Sequence, residues 1–134
     1  YTWVENKDDL IAVMSNALAE QMLVPEPLPQ DWREAISLIA VATRDVFSNH
    51  PWMLSGARPA GPIGANMLRH VDQSLRAVRE LELEWPLRAS VLQAVDHYAL
   101  GYAVANQRRA LRKAAHEERD ANDYGVSGGL KVKF

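Results

Sequence analysis

The sequence contains no cysteine, which excludes a disulfide framework, a thiolate zinc site and a cysteine nucleophile together. It also lacks an apolar run approaching the roughly 18 to 20 residues a spanning helix needs, and no charged-then-apolar leader opens the chain. A cytoplasmic protein with no membrane partner is the expectation. A large excess of charge of one sign is missing too: the formal net charge is −2, so bulk charge demands neither a polyanion nor a lipid surface. Strand-period alternation is nearly absent, which points to an all-α helical bundle.

The signatures of catalysis are missing as well. His50, His70, His97 and His116 show no His-x-x-x-His spacing, and no carboxylate stands where a zinc-protease helix requires one. Gly56, Gly61 and Gly64 follow no strand and precede no Lys-Ser/Thr pair, so there is no phosphate loop, and "VSGGL" is not a Gly-x-Ser-x-Gly elbow. The carboxylate pairs Asp8 with Asp9 and Glu117 with Glu118 fall at helix ends, where they complement a dipole or face water. No enzyme, cofactor or metal is expected.

What the sequence does contain is helical periodicity broken by proline and glycine. Its 134 residues suit one domain, able to bury about two-thirds of its unfolded surface. Asn6 is a good N-cap for a helix over residues 7–23, with Leu10, Met14, Leu18 and Met22 recurring every four residues. "VPEPLP" then cannot stay helical, because each proline lacks an amide hydrogen and disfavours helix in the residue before it. Asp31 opens a second helix with an Asp-x-x-Glu pattern to Glu34, and Trp32, Ile36, Ile39, Val46 and Phe47 form its apolar stripe up to Pro51.

The stretch "HPWMLSGARPAGPIG" predicts a turn or a fragment of helix. A third helix is expected over residues 64–83, with Leu68, Val71, Leu75 and Val78 as its inner face. Pro86 suits the first turn of a fourth, running to about residue 118. There Leu87, Val91, Val95, Tyr98 and Tyr102 make one stripe, while Ala94, Gly101 and Ala105 make a second face of small residues. A helix with two such faces touches two neighbours, and the second neighbour is read as another copy of the chain. From Arg108 the pattern becomes charged, and "NDYGVSGGLKVKF" has too many glycines to assign.

Two stretches carry a resemblance. "YTWVENKDDL" is similar to the end of the helix-turn-helix domain of TetR-family transcriptional repressors. "DWREAISLIAVATRDVFSNHPWMLSGARPAGPIGANMLRHVDQSLRAV" resembles the regulatory domain of the branch containing the tetracycline repressor, with "HPW", "ARPAGP" and "YALGYAV" in the expected order over residues 1–106. The resemblance implies a homodimeric repressor that binds operator DNA and is released by a small-molecule inducer. Residues 1–7 would be the remnant of the helix-turn-helix domain and residues 8–134 the ligand-binding and dimerisation domain.

Carried over position by position, Tyr1 and Lys7 fall on family residues that touch DNA phosphate, a role a phenol and an ammonium beside a helix start can fill. The implied inducer is small, hydrophobic or amphipathic. Its pocket would be walled by Phe47, Trp52, Met53, Met67, His70, His97, Tyr98 and Tyr102, residues that could equally serve as core. The dimer would use Ala94, Gly101 and Ala105. Tetracycline repressors bind a metal-chelated drug through histidine, but no residue here matches that ligand, so no metal is carried over. A helical small-molecule-binding module without a DNA role is the alternative.

Overall fold

The computed structural model describes residues 4–55 and 63–131, with side chains described to residue 125. Among the described residues there are four α-helices and no strand: α1 (Lys7–Ala19), α2 (Trp32–Asn49), α3 (Ala65–Ala77) and α4 (Trp85–Lys131). Two 3-10 turns, Glu20–Met22 and Pro51–Ser55, follow α1 and α2.

α1 starts where its cap dictates. The Asn6 side-chain oxygen accepts the Asp9 amide hydrogen at 2.9 Å, and Asp8 and Asp9 place negative charge against the positive end of the helix. The helix does not run to residue 23 as its periodicity predicts. It tightens into the 3-10 turn after Ala19, because Pro25 forces the preceding residues out of helical geometry. Ala19 and Met22 are buried, whereas Leu10 and Met14 of the expected stripe are exposed.

α2 is the central element. Asp31 caps it by accepting from the Arg33 amide, and Ala35, Ile36, Ile39, Thr43 and Val46 form its buried face. Ile36 and Ile39 join Val24, Ala35, Ala77 and Val78 in the core, with Leu28, Trp32, Val91, Leu92 and Val95 packed around them. Each such aliphatic side chain contributes about 1.5 to 3 kcal/mol on full burial.

α2 packs most extensively on α4. On α4, Ala99 and Ala103 are both buried and one turn apart, and Ala99 borders the same recess as Ala40 and Val41 of α2; small side chains of this kind let helices approach closely. The expected stripe on α4 is therefore corrected: Val91 and Val95 pack on the core, but Leu87, Tyr98 and Tyr102 are exposed. α4 also continues past residue 118 to Lys131, 47 residues or about 70 Å at the helical rise. No proline follows Pro86 of its first turn, so its glycines weaken the helix without ending it. Residues 108–125 are exposed throughout.

α3 departs most from its sequence pattern. It ends at Ala77 rather than residue 83, and its buried positions are His70, Gln73 and Ala77. Leu68 remains 53% exposed and Val71 41% exposed, so the apolar stripe Leu68, Val71, Leu75 and Val78 is not the inner face, although Val78 beyond the helix end is buried. For Gln73 the reason is that its inward amide is satisfied. Gln73 accepts from the Val24 amide at 3.0 Å and donates to the Val24 carbonyl at 2.9 Å, closing both backbone groups of a residue the prolines leave outside any helix. Next to it, Glu26 accepts from Gln73 at 3.0 Å and pairs with Arg76, which also bonds Asp72 at 2.9 Å.

α1 is tied to the start of α3 by a second polar junction. Gly64, the N-cap of α3, has no side chain to cap with, so the Asn16 side-chain oxygen accepts the Asn66 amide hydrogen at 3.0 Å instead. Asn66 returns the favour, donating from its side chain to the Asn16 carbonyl at 3.2 Å. A Cβ at Gly64 would overlap the Asn16 side chain. Only glycine allows this approach.

Candidate functional site

Four elements leave a space between them. α2, α3 and α4 converge with the 3-10 turn after α1 around a half-open cavity of about 280 Å³. α2 contributes Thr43 and Phe47; α3 contributes Met67, His70, Val71, Ser74 and Leu75; α4 contributes Leu92, Asp96 and Leu100; and Met22 closes the end beneath α1. The wall is mostly apolar with a few polar groups, the usual make-up of a small-molecule site.

Those polar groups differ in what they need. The Thr43 hydroxyl donates to the Ile39 carbonyl at 2.8 Å, and the Ser74 hydroxyl donates to the His70 carbonyl at 2.9 Å. Both hydrogens are therefore committed to their own helices. His70 is only 8% exposed, and its Nδ1 has no hydrogen-bond partner. Burial pulls its pKa below the ordinary histidine value, with the nearby Asp96 carboxylate opposing that shift in part. Asp96, an exposed residue whose carboxyl borders the cavity, is pushed above the ordinary aspartate value by partial burial, against the opposing effect of His70 and His97.

Of the residues expected from sequence to bind a ligand, Phe47, Met67 and His70 line this cavity. Trp52 and Met53 are half-buried in the turn Pro51–Ser55 and are not part of its wall. His97 is exposed beside Asp96 on α4. Tyr98, 79% exposed, and Tyr102 line a separate recess of about 140 Å³ with Val41 and Arg44, whose guanidinium lies 5.3 Å from the Tyr102 ring centre. Ala94, Gly101 and Ala105 are all exposed, and a Cβ at Gly101 would meet nothing within 4 Å. Lys7 is exposed at the first position of α1, while Tyr1 lies outside the described residues. Among the described residues no three His, Asp or Glu side chains gather as a metal site would require, and no helix is long and apolar enough to cross a membrane.

Sequence reasoning passed over Asp96, though a signal was present. Leu92, Asp96 and Leu100 are spaced four apart, so the carboxylate interrupts an apolar row on one helical face. Thr43 and Ser74 carried no comparable signal, being ordinary residues for a helix interior that bonds them to its own backbone.

Comparison with known proteins agrees with the helical architecture. Residues 24–124 match the model of the tetracyclin repressor-like C-terminal domain. Over 104 residues, 77% of this chain, the sequence is 25% identical to the HTH-type transcriptional repressor DrrR1 of Streptomyces coeruleorubidus. The chain covers 38% of that relative's length. No solved structure matches it. The family model spans the linker, the cavity-forming helices and the packed part of α4, and on that extent of match the chain belongs to the family of TetR-type C-terminal regulatory domains.

Proposed function

We propose that this chain is the inducer-binding and dimerisation domain of a TetR-type repressor, and that operator DNA is read by a helix-turn-helix unit preceding Tyr1. The observation that carries this reading is the cavity itself, because its wall includes Met22, directly after α1. A guest that displaces Met22, Met67 or His70 acts on the two elements that the Asn16–Asn66 junction couples. α1 is then the lever. Lys7 at its start, and Tyr1 six positions before it, would donate to DNA phosphates, a reading that the exposure of Lys7 supports. Dimerisation through the open face of Ala94, Gly101 and Ala105 would hold two such levers at the spacing of two operator half-sites.

Induction in this scheme is a population shift: the ligand must bind more tightly to the arrangement in which the levers are out of register. The test is to titrate the full-length repressor onto its operator, identified by in vitro selection, with and without a compound that occupies the cavity. Operator affinity is expected to fall by roughly 5- to 150-fold, the usual range of allosteric coupling. Unchanged operator affinity with the cavity filled would instead identify a small-molecule-binding module with no role on DNA.

A further inference from the structure

The cavity wall also constrains what kind of molecule enters, an inference that rests on its being a binding site. Among the described residues Asp96 is the one formally charged group in the lining, and no described Lys or Arg borders the space. A neutral apolar guest would strip water from this carboxylate and return nothing, and an anion would be repelled by it. On the opposite helix the buried His70 offers an Nδ1 without a partner, while the Thr43 and Ser74 hydroxyls are already satisfied. Among the described residues the polar demand of the site thus reduces to one carboxylate and one imidazole nitrogen, on two different helices of a mostly apolar wall.

We propose that the cavity takes an amphipathic cation, with an apolar ring system against Phe47, Leu75 and Leu92, an ammonium group at Asp96 and a hydroxyl or amine hydrogen-bonded to His70 Nδ1. The volume, about 280 Å³, lies at the small end of ligand sites and limits the ring system to about two or three fused rings. Met22 and Met67 give the wall some adaptability to ring shape, as flexible thioethers do. His97, the other titratable group close to Asp96, is exposed and leaves the carboxylate open to a cationic partner.

The test uses three fluorescent probes that share one ring system and differ in charge: anthracenylmethylamine, anthracenylmethanol and anthracene carboxylate. Each is titrated into the purified protein at neutral pH. The amine is expected to bind about tenfold or more tightly than the alcohol, the gain of a charge-assisted hydrogen bond, with the carboxylate weakest. Asp96→Asn should bring the amine down to the alcohol's affinity without weakening the alcohol, and Ser74→Trp, which fills the space, should abolish both. Equal binding of amine and alcohol to the unaltered protein, or a preference that survives Asp96→Asn, overturns the ligand class while leaving the cavity a binding site. Failure of all three probes to bind, or binding that survives Ser74→Trp, overturns the cavity reading itself.

Discussion

The α2–α4 contact and the α1–α3 contact are built from different chemistry. Across the first, Ile36 and Ile39 of α2 share an apolar core with Val91, Leu92 and Val95 of α4, an area held by burial and shape. Across the second, and in the linker that follows α1, the join is made by directed hydrogen bonds from Asn16, Asn66 and Gln73 and by the Glu26–Arg76 pair. Apolar packing degrades gradually as surfaces slide, whereas a hydrogen bond is lost within a fraction of an ångström. The first contact is suited to be a fixed frame. The second is suited to have two discrete arrangements, which is what a lever requires.

If that contrast is right, the largest loss of stability should come from the frame. Ile39→Ala, at a position 2% exposed, is expected to cost about 3 kcal/mol in chemical denaturation, as for other large-to-small core substitutions. The operator response to ligand should survive in whatever fraction remains folded. Loss of that response at full occupancy of the fold would place the switch in the frame and reverse the comparison.

Gln73→Leu should follow, at about 2 kcal/mol, because it leaves the amide and carbonyl of the buried Val24 without partners. The measurement is again the denaturation midpoint, with Gln73→Met as a second variant of closer shape. If both are neutral, solvent must replace those bonds freely and the linker is not fastened by α3.

The asymmetry between frame and lever also explains which features the sequence disclosed. The α2 face was legible because Ile36, Ile39 and Val46 are apolar and helically spaced, and the caps Asn6 and Asp31 were legible because capping is local chemistry. The α3 face was not, because periodicity counts apolar residues, while His70 and Gln73 point inward for partners about 50 positions away or for a cavity no local pattern reveals. For the same reason the candidate site was only partly readable. Phe47, Met67 and His70 were reached through the resemblance to known repressors, and Asp96 became meaningful only when α4 was placed opposite α3.

Gly64→Ala probes the lever more directly. Its new methyl group collides with the Asn16 side chain near its root, where no rotamer clears it, and about 1 to 2 kcal/mol of stability should be lost. Asn16→Ala removes the cap of α3 and the two nearest obstacles, Oδ1 and Cγ, leaving the Cβ, and should cost about 1 kcal/mol. The double variant should cost less than the sum of the two, since the closest part of the clash disappears with the atoms beyond the Asn16 Cβ. Strict additivity would mean that α1 and α3 move independently.

The smallest effect belongs to the exposed end of the same seam, and its pH dependence identifies it. The Arg76 guanidinium, with help from the Gln73 amide, holds the Glu26 carboxyl at about 2 against an ordinary 4.5. A carboxylate whose pKa is depressed by folding stabilises the protein in full above its unfolded value and loses that contribution as pH falls toward the folded one. The stability difference between the protein and Glu26→Gln should therefore be present at neutral pH and shrink as pH falls from 4.5 toward 2. The shift from His70 is common to both proteins and cancels in the difference. Because the Glu26 and Arg76 side chains are 47% and 39% exposed, water and salt screen the pair, so the gap should be small and contract further in about 1 M salt. The cost of Ile39→Ala should not contract in the same way. A gap at Glu26 that ignores both pH and salt would show that the linker is held by packing after all, and the two contacts would then be alike.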